Sequence, residues 1–483
     1  MPIAPKTSIT RQSAAERFVC YYISSACEWQ NDLKWFDNEW PHIKSAWAWQ
    51  SELDSPELVI AYALTFHPFL SRKGLWREAV EWSARALQVS LESEEQGCIS
   101  RIQTDLGLSY ANLGQLQLAI QAHEDSLKTS RAKGDTRGEA NALCNLGTVY
   151  HRQGNLARAR ALYEQYLALA TEAGDLNAQA IAFSSLGLVS ADEGELSSAI
   201  AWYEKALAVN RQFEDSRREA KTLNNLGLAY SGLGELSRAT ELHQQTLQLY
   251  RELGDRPGQA NALGNLGIAF YRLGQFRRAI SVFEDQLTIA RDIGDLPGEA
   301  NASNNLGLAH SQLGALDVGL DYYQQRLVLA DRMGDLRGQA VTLNNIGDLY
   351  RKTGQVERAI EAHEQVLEMQ RGIGDRRRQG LVLGNLGLDY AALANWNRAI
   401  DYYRQALSIS RQIGELTGIA NWSWNLGLAF AELGDLEQAV DLMQVGVDFE
   451  LSIGHSKAQE SLDRLRKMRL LLADKPNSNR KKS

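Results

Sequence analysis

Residues 138–175 read GEANALCNLGTVYHRQGNLARARALYEQYLALATEAGD, and this stretch predicts the fold. Its first apolar residues have the spacing of one helical face: Leu143, Leu146, Gly147 and Tyr150. A second helical face follows: Ala159, Leu162, Tyr163, Tyr166 and Leu167. Gly154 and Asn155 predict the turn between the two helices, and Gly174 and Asp175 end the second helix and cap the next one. The stretch therefore predicts a helical hairpin, with a first helix A and a second helix B.

The same pattern recurs along the chain with a fixed period. A Leu-Gly or Ile-Gly pair returns every 40 residues, with its glycine at Gly107, Gly147, Gly187, Gly227, Gly267, Gly307, Gly347, Gly387 and Gly427. No insertion or deletion interrupts these nine units. Because a loop of different length would break the register, we expect every hairpin to stack on the next in the same way.

Each of these glycines lies inside a predicted helix A, where glycine costs about 1 kcal/mol relative to alanine. We attribute its recurrence to close approach, since a residue without Cβ lets helix B pack directly on helix A. An acidic residue at the start of most A helices predicts an N-cap, as at Asp135, Asp175, Asp255, Asp295, Asp335 and Asp375.

The order Leu146, Gly147, Tyr150, Gly154, Ala159, Tyr163 and Leu167 resembles the tetratricopeptide repeat. The period is longer than the usual one of about 34 residues, and the helix-ending proline is missing. The longer form resembles the arrays of Pins-type polarity adaptors and, less closely, kinesin light chains. The resemblance covers about residues 95–455 and implies an all-α, right-handed superhelical solenoid of antiparallel helix pairs, a fold that serves many different partners.

Four segments follow from this pattern. We predict an N-terminal helical cap at 1–57, a degenerate repeat at 58–94, nine 40-residue units at 95–455, and a capping helix with a basic disordered tail at 456–483. Seven of the 11 tryptophans lie in the first 82 residues. An aromatic cap over the open end of the solenoid and a second docking site both explain them. Residues 36–47 also resemble the helical arm that joins nucleotide-binding switch ATPases to their tetratricopeptide sensors.

Composition excludes several classes of protein. The net charge of −8 argues against a general nucleic-acid binder, which needs a basic field. No apolar run reaches the roughly 18 residues of a membrane span, so we expect no membrane insertion. Four cysteines without a C-x-x-C pair, and no hydrophobic leader, predict a cytoplasmic protein.

Catalytic motifs are missing from the sequence. It contains no Gly-Lys dipeptide, which excludes a P-loop, and no H-E-x-x-H motif. His123, His243 and His363 occupy the helix B position that holds tyrosine or phenylalanine in other units, which indicates packing. The sequence therefore predicts a protein that is not an enzyme and uses no cofactor or metal.

The expected binding surface is the concave face, which helix A lines in tetratricopeptide arrays. The residue before Leu-Gly or Ile-Gly is asparagine in seven units: Asn145, Asn225, Asn265, Asn305, Asn345, Asn385 and Asn425. Asn261 and Asn301 lie one turn earlier on the same face. Mid-helix asparagine is unfavourable, and its recurrence at an exposed position requires a reason. Resemblance to peptide-binding relatives implies contact with a guest backbone, whereas hydrogen bonds that brace neighbouring repeats remain the alternative.

Further along helix A, most units have an apolar residue three positions after the asparagine, with Thr148 and Asp348 as exceptions. This stripe fits either guest contacts or packing between repeats. Basic residues follow at Arg152, Arg272, Arg351 and Lys352. They are either a solvated face or a device that selects acidic segments of a partner.

The sequence as a whole favours a non-enzymatic adaptor that holds a peptide or helical segment of a partner protein in its concave groove. One alternative is a sensor subunit of a switch-ATPase-type signalling system whose effector domain is on another chain. A homo-oligomeric scaffold is a third interpretation. The sequence does not name the partner.

Overall fold

The computed structural model describes residues 11–29, 32–49, 55–93 and 96–473. Within those ranges the chain forms 23 α-helices and one short 3-10 turn, and no strand occurs among them. No helix in the described part of the chain combines the length and apolarity that a bilayer crossing requires. The predicted basic tail from Lys475 to Ser483 lies outside the described residues.

The helices are numbered in chain order. Four precede the regular units: α1 (Arg11–Glu28), α2 (Leu33–Ala48), α3 (Pro56–Lys73) and α4 (Trp76–Glu92). The A helices are α5 (Ile99–Asn112), α7 (Thr136–Arg152), α9 (Leu176–Asp192), α11 (Ser216–Gly232), α13 (Arg256–Arg272), α15 (Leu296–Gln312), α17 (Leu336–Lys352), α19 (Arg376–Ala392) and α21 (Leu416–Glu432). The B helices are α6 (Leu116–Lys133), α8 (Leu156–Glu172), α10 (Leu196–Gln212), α12 (Leu236–Glu252), α14 (Phe276–Ile293), α16 (Leu316–Met333), α18 (Val356–Ile373), α20 (Trp396–Ile413) and α22 (Leu436–Ser452), and α23 (Ala458–Ala473) follows.

The chain divides into two compact units, Met1–Arg238 and Ala239–Ser483. In the first unit each helix from α3 to α11 packs on the next, and in the second unit the same holds from α13 to α23. Consecutive A helices also touch, for example α5 with α7 and α17 with α19. The predicted all-α array of antiparallel helix pairs is therefore confirmed within each unit. The right-handed superhelical course stays a prediction.

The helix A glycine is where the two helices of a hairpin meet. A Cβ built on Gly147 would lie 2.6 Å from Cε1 of Tyr163, and one on Gly307 would lie 2.6 Å from Cε1 of Tyr323. The tyrosine rings are buried there. The close approach predicted from the sequence is thus confirmed, because the aromatic ring occupies the space where any other residue would place its side chain.

The predicted helix caps are also present. The Asp135 carboxylate accepts a hydrogen bond from the Gly138 amide at 2.9 Å, and five further predicted caps repeat this bond: Asp175, Asp255, Asp295, Asp335 and Asp375. The turn between α7 and α8 contains Gly154 with a φ of 81°, a left-handed conformation that favours glycine. Side-chain caps thus fix the starts of six A helices.

The aromatic residues near the N-terminus pack with one another. Trp47 stacks on Trp82 with ring centroids 4.9 Å apart, and the Tyr62 hydroxyl donates to the Ile43 carbonyl at 2.7 Å. This cluster joins α1 to α4 and extends to Ile102 on α5. Packing therefore accounts for much of the aromatic composition of this segment.

A paired substitution tests the helix A contact. We expect Gly307→Ala to destabilise the protein by about 1–3 kcal/mol, because the added methyl group forces the buried Tyr323 ring to move. Gly372→Ala is the matched control. It lies within α18 with no other atom within 4 Å of its Cβ position, and it should stabilise the helix by up to about 1 kcal/mol. Denaturant titration followed by circular dichroism measures both variants, and equal effects would contradict the contact.

Candidate peptide-binding surface

The side of helix A that carries the asparagine position holds the candidate site, and we call it the A face. It comprises the asparagine position, the residues four before and three after it, and the residues of the first turn. Asn141 and Leu188 on this face are exposed, the latter by 41%. Leu146 and Tyr150, on the opposite side of helix α7, are buried. The sequence spacing therefore separates a packing face from a solvent face correctly.

In the first compact unit the A face contains neighbouring pockets. A cavity of about 500 Å3 lies between α7, α8 and α9, with Arg137 and Asn141 at its wall. A second cavity of about 210 Å3 lies between α9, α10 and α11, where Leu188, Lys221 and Asn225 meet. Ile181 lines both cavities. Each cavity thus combines an apolar wall, a carboxamide and a basic side chain.

The second unit has the same combination near its end. A cavity of about 440 Å3 between α19 and α21 is lined by Arg377, Leu381 and Asn421 among others. A smaller cavity of about 240 Å3 adjoins it and is lined by Leu388 and Asn425. The repeated chemistry follows from the repeated sequence, since equivalent positions of successive A helices build each cavity.

Two members of the asparagine series join neighbouring repeats. The Asn345 side chain donates to the Asn304 carboxamide oxygen at 3.1 Å, and Asn385 donates to that of Asn344 at 2.9 Å. These bonds join successive repeats, so bracing is confirmed at both positions. The expectation of an exposed position is wrong, because none of the seven asparagines is exposed. Asn385 is only 7% exposed, since its side chain lies in the seam between α17 and α19.

The brace depends on the preceding repeat. Asn345 and Asn385 each find an asparagine there, whereas the equivalent residue is Gly264 before Asn305 and Gly384 before Asn425. The structure tests no ligand role for the remaining predicted asparagines. Five of them are half-buried: Asn145, Asn225, Asn265, Asn305 and Asn425. The other two, Asn261 and Asn301, are exposed.

The predicted basic clusters are not alike. Arg152, Arg272 and Lys352 are exposed. Arg351 is not a free rim charge, which corrects the sequence interpretation. Its guanidinium lies 2.5 Å from Asp348 and 3.6 Å from Asp389, and its side chain is only 21% exposed.

Arg351 belongs to a polar cluster that sequence reasoning missed. The Nδ1 atom of His363 donates to Asp389 at 2.6 Å, and both side chains are fully buried. His363 therefore does more than pack against Gly347. Asp389 stands where six other repeats have small apolar residues (Val149, Val189, Ala229, Ala269, Ala309 and Ala429), and the remaining two have Ser109 and Leu349. Burial also raises the pKa of Asp348. The signal was available, because Asp348, Arg351 and Asp389 all depart from the repeat pattern.

The other two histidines in that series behave as predicted. His123 and His243 are buried, and a Cβ on Gly107 would meet the His123 ring at 2.4 Å. Burial lowers the pKa of each histidine to about 4. Among the residues that the structure describes, no three His, Cys, Asp or Glu side chains are placed to hold a metal ion.

Sequence reasoning also missed basic residues in the first turns of the A helices. They line the cavities at Arg101, Arg137, Arg218, Lys221, Arg377 and Arg378. Except for Arg101, whose helix begins after Cys98, they fall within about two turns after the capping acid.

The sequence matches the tetratricopeptide repeat family over residues 98–172, 178–252, 238–292, 258–332, 298–372 and 378–449. These matches cover most of the chain, and the protein belongs to that family. The resemblance predicted over about residues 95–455 is thereby confirmed. Tetratricopeptide repeat proteins generally mediate protein–protein interactions, and the fold typically serves as a non-enzymatic scaffold. No curated protein matches the sequence.

Two solved structures illustrate the fold. One is a signal transduction ATPase with numerous domains that has a tetratricopeptide repeat sensor, from Pyrococcus horikoshii; it is 17% identical, with a TM-score of 0.53 over 76% of this chain and 54% of that chain. This chain therefore spans about half of that protein's length. The other is the apo quorum sensor NprR from B. thuringiensis, 17% identical, with a TM-score of 0.53 over 67% of this chain and 89% of that chain. At such identities the likeness concerns the fold alone.

The bracing bonds generate a stability prediction. Asn385→Ala should lower the free energy of unfolding by about 1 kcal/mol, because it removes the bond to Asn344 and leaves that oxygen without its donor. Asn305→Ala, where Gly264 offers no side-chain acceptor, should change it by less than about 0.5 kcal/mol. Denaturant titration of both variants measures the difference, and a larger loss for Asn305→Ala would contradict the brace.

The first 40-residue repeat has an aspartate at the position that is asparagine in most later repeats. Asp105 is mostly buried beside His67, whose Nδ1 lies 3.4 Å from the carboxylate, and the other ring nitrogen lies 3.2 Å from the Ser109 hydroxyl. Burial raises the pKa of Asp105 from 3.8 to about 7. Burial also lowers the pKa of His67 from 6.5 to about 4. The pair is thus held near neutrality.

The raised pKa of Asp105 predicts a pH effect. Between its ordinary pKa of 3.8 and about 7, the folded protein retains a proton that the unfolded chain releases, so this carboxyl's contribution to stability falls as the pH rises through that interval. Asp105→Asn cannot titrate, so its stability relative to the original protein should increase as the pH rises from about 4 to about 7. Thermal melts across pH measure the gain. Exposed Asp441→Asn is the control, and a gain that is independent of pH would contradict the assignment.

Proposed function

We propose that the protein is a scaffold whose A face binds an extended or helical segment of a partner protein. The observation that carries the proposal is the set of cavities between successive A helices within each compact unit, each with an apolar wall, an asparagine and a basic residue. Concave sites with an apolar lining and a few convergent polar groups are the usual places where ligands bind. The cytoplasmic location expected from the cysteine pattern remains part of this proposal.

The asparagines that contact the guest are those without a brace. Asn225 and Asn425 line cavities, and Asn305 follows a repeat with glycine at the bracing position. A carboxamide offers a donor and an acceptor, which matches a peptide backbone. Asn345 and Asn385 do not contact the guest; they hold neighbouring repeats at the spacing that the guest requires.

The preferred guest segment is acidic. Arg137 and Lys221 each line a cavity of the A face, and Lys352 is exposed at the end of α17. Arg378 also lines a cavity, but it is paired with Asp375 at 3.3 Å. This positive charge stands out in a chain of net charge −8. Complementary charge acts mainly on the association rate and on the choice of partner.

The sensor-subunit alternative rests on the motif at residues 36–47, and co-purification with a nucleotide-binding protein would favour it.

Selection from a random peptide library tests the proposal. We expect the selected peptides to be enriched in Asp and Glu, with affinities that fall as salt is raised. Lys221→Glu should weaken their binding roughly tenfold, and Asn425→Ala roughly fivefold, because each loses an interaction worth about 1 kcal/mol or more. Isothermal titration measures the affinities.

Arg332→Glu is the matched control, since it makes the same charge change at an exposed position of the B helix α16. It should leave the affinities unchanged. If Lys221→Glu and Asn425→Ala bind every selected peptide as tightly as Arg332→Glu does, the A face is not the binding site. Peptides that bind there without acidic enrichment would overturn only the choice of an acidic guest.

A further inference from the structure

The last repeat departs from the other eight around one cavity of the A face. This is the cavity of about 240 Å3 between α19, α21 and α22, and we call it the α22 cavity. Four of its lining residues are of a type that no earlier repeat has at the equivalent position: Trp422, Trp424, Gly446 and Glu450. The α22 cavity therefore differs in its chemistry from the other cavities of the A face.

Two indole rings form part of its wall. Trp422 is only 7% exposed, and its ring centroid lies 6.4 Å from that of Tyr403. Trp424 packs over Gly446, where an added Cβ would lie 3.4 Å from its Cε3 atom. Packing thus holds both rings in place. The face of an indole ring attracts cations.

The α22 cavity also contains a carboxylate that is not fully satisfied. The Oε2 atom of Glu450 is shielded from water and accepts no hydrogen bond from any residue that the structure describes. Its Oε1 atom lies 3.9 Å from Nδ1 of His455, a half-exposed side chain on the solvent side. A carboxylate oxygen that lacks both water and a donor is costly. Glu450 therefore favours a ligand that brings a donor.

Neighbouring arginines do not neutralise Glu450. Arg377 and Arg378 line the adjoining cavity, which shares the side chain of Trp422 with this one. Arg377 lies 3.9 Å from Glu415, and Arg378 lies 3.3 Å from Asp375. Because each arginine has a carboxylate partner of its own, the α22 cavity keeps its negative charge.

This combination fits a long basic side chain. Lysine and arginine have an apolar stem and a charged head. Leu388 and the two indole rings offer apolar surface to the stem, and Glu450 offers an acceptor to the head. The α22 cavity is smaller than the roughly 300–1,000 Å3 of pockets for drug-sized ligands, so a single side chain suits it better than a free small molecule.

We propose that the α22 cavity binds one lysine or arginine side chain of the guest, with Glu450 as its counter-ion and Trp422 and Trp424 as its walls. Asn425, which contacts the guest backbone in the proposed function, lines the same cavity. The inference rests on that proposed function, and it adds one basic anchor to a guest that is otherwise acidic.

Selection from a random peptide library with the full chain and with Glu450→Gln tests the proposal. We expect peptides selected by the original protein to have Lys or Arg at one fixed distance from their acidic residues. Peptides selected by Glu450→Gln should keep the acidic enrichment and lose the preference for that basic residue. The substitution preserves the size of the side chain, and circular dichroism verifies that the fold is intact.

Titration of a selected peptide then measures the coupling. Replacing its basic residue by norleucine should weaken binding to the original protein roughly tenfold, because the carboxylate loses its counter-ion. The same replacement should leave binding to Glu450→Gln unchanged. Glu437→Gln is the matched control, since it makes the same change at an exposed position of α22. It should show the full tenfold loss.

Two results would overturn the basic pocket alone. In the first, selected peptides bind but none of them shows coupling between a basic residue and Glu450. In the second, Glu437→Gln abolishes the coupling as Glu450→Gln does, which would indicate general attraction without a defined pocket. In either case the scaffold proposal stands as long as Lys221→Glu and Asn425→Ala weaken binding. If no peptide binds the original protein, both proposals fail.

Discussion

The contact between a residue without Cβ and an aromatic ring is the constraint on which the rest of this structure depends. It brings helices A and B of a hairpin together at one fixed height, as Gly147 and Tyr163 show. The helix termini then follow from the capping acids and the turn glycines. Seven of the nine repeats show this aromatic contact, and Gly427 meets Met443 instead. Equivalent positions of successive A helices therefore meet at equivalent places, and similar cavities form within each compact unit without any dedicated loop.

Most of the fold could be predicted from the sequence because its determinants are local and periodic. Together with their neighbours in the sequence, Gly307 predicts a close helix contact and Asp295 predicts the start of a helix. The candidate site was less predictable. Whether an asparagine braces or stays available depends on a residue 41 positions earlier, Asn304 for Asn345 and Gly264 for Asn305. Such pairwise dependence is invisible when the asparagines are considered as one series.

The same reasoning explains the error about Arg351. A basic residue beside Lys352 resembles an exposed charged patch when only the helix spacing is known. Its actual surroundings come from α19, where Asp389 replaces an otherwise small apolar residue. Buried charge is stable only with partners close by, so the departure at one position requires departures at the others. In a repeat protein such departures can be found from the sequence, since each repeat can be compared with the residues at equivalent positions of its neighbours.

That cluster has a consequence for how the array assembles. Nearly identical hairpins can in principle stack out of order, one unit slipping past the next, because most of their surfaces are interchangeable. His363 on α18 and Asp389 on α19 form a buried ion pair that another order of hairpins would break, since the residues equivalent to His363 on α14, α16, α20 and α22 are Phe283, Tyr323, Tyr403 and Met443. The two side chains therefore favour one order of these hairpins over the others.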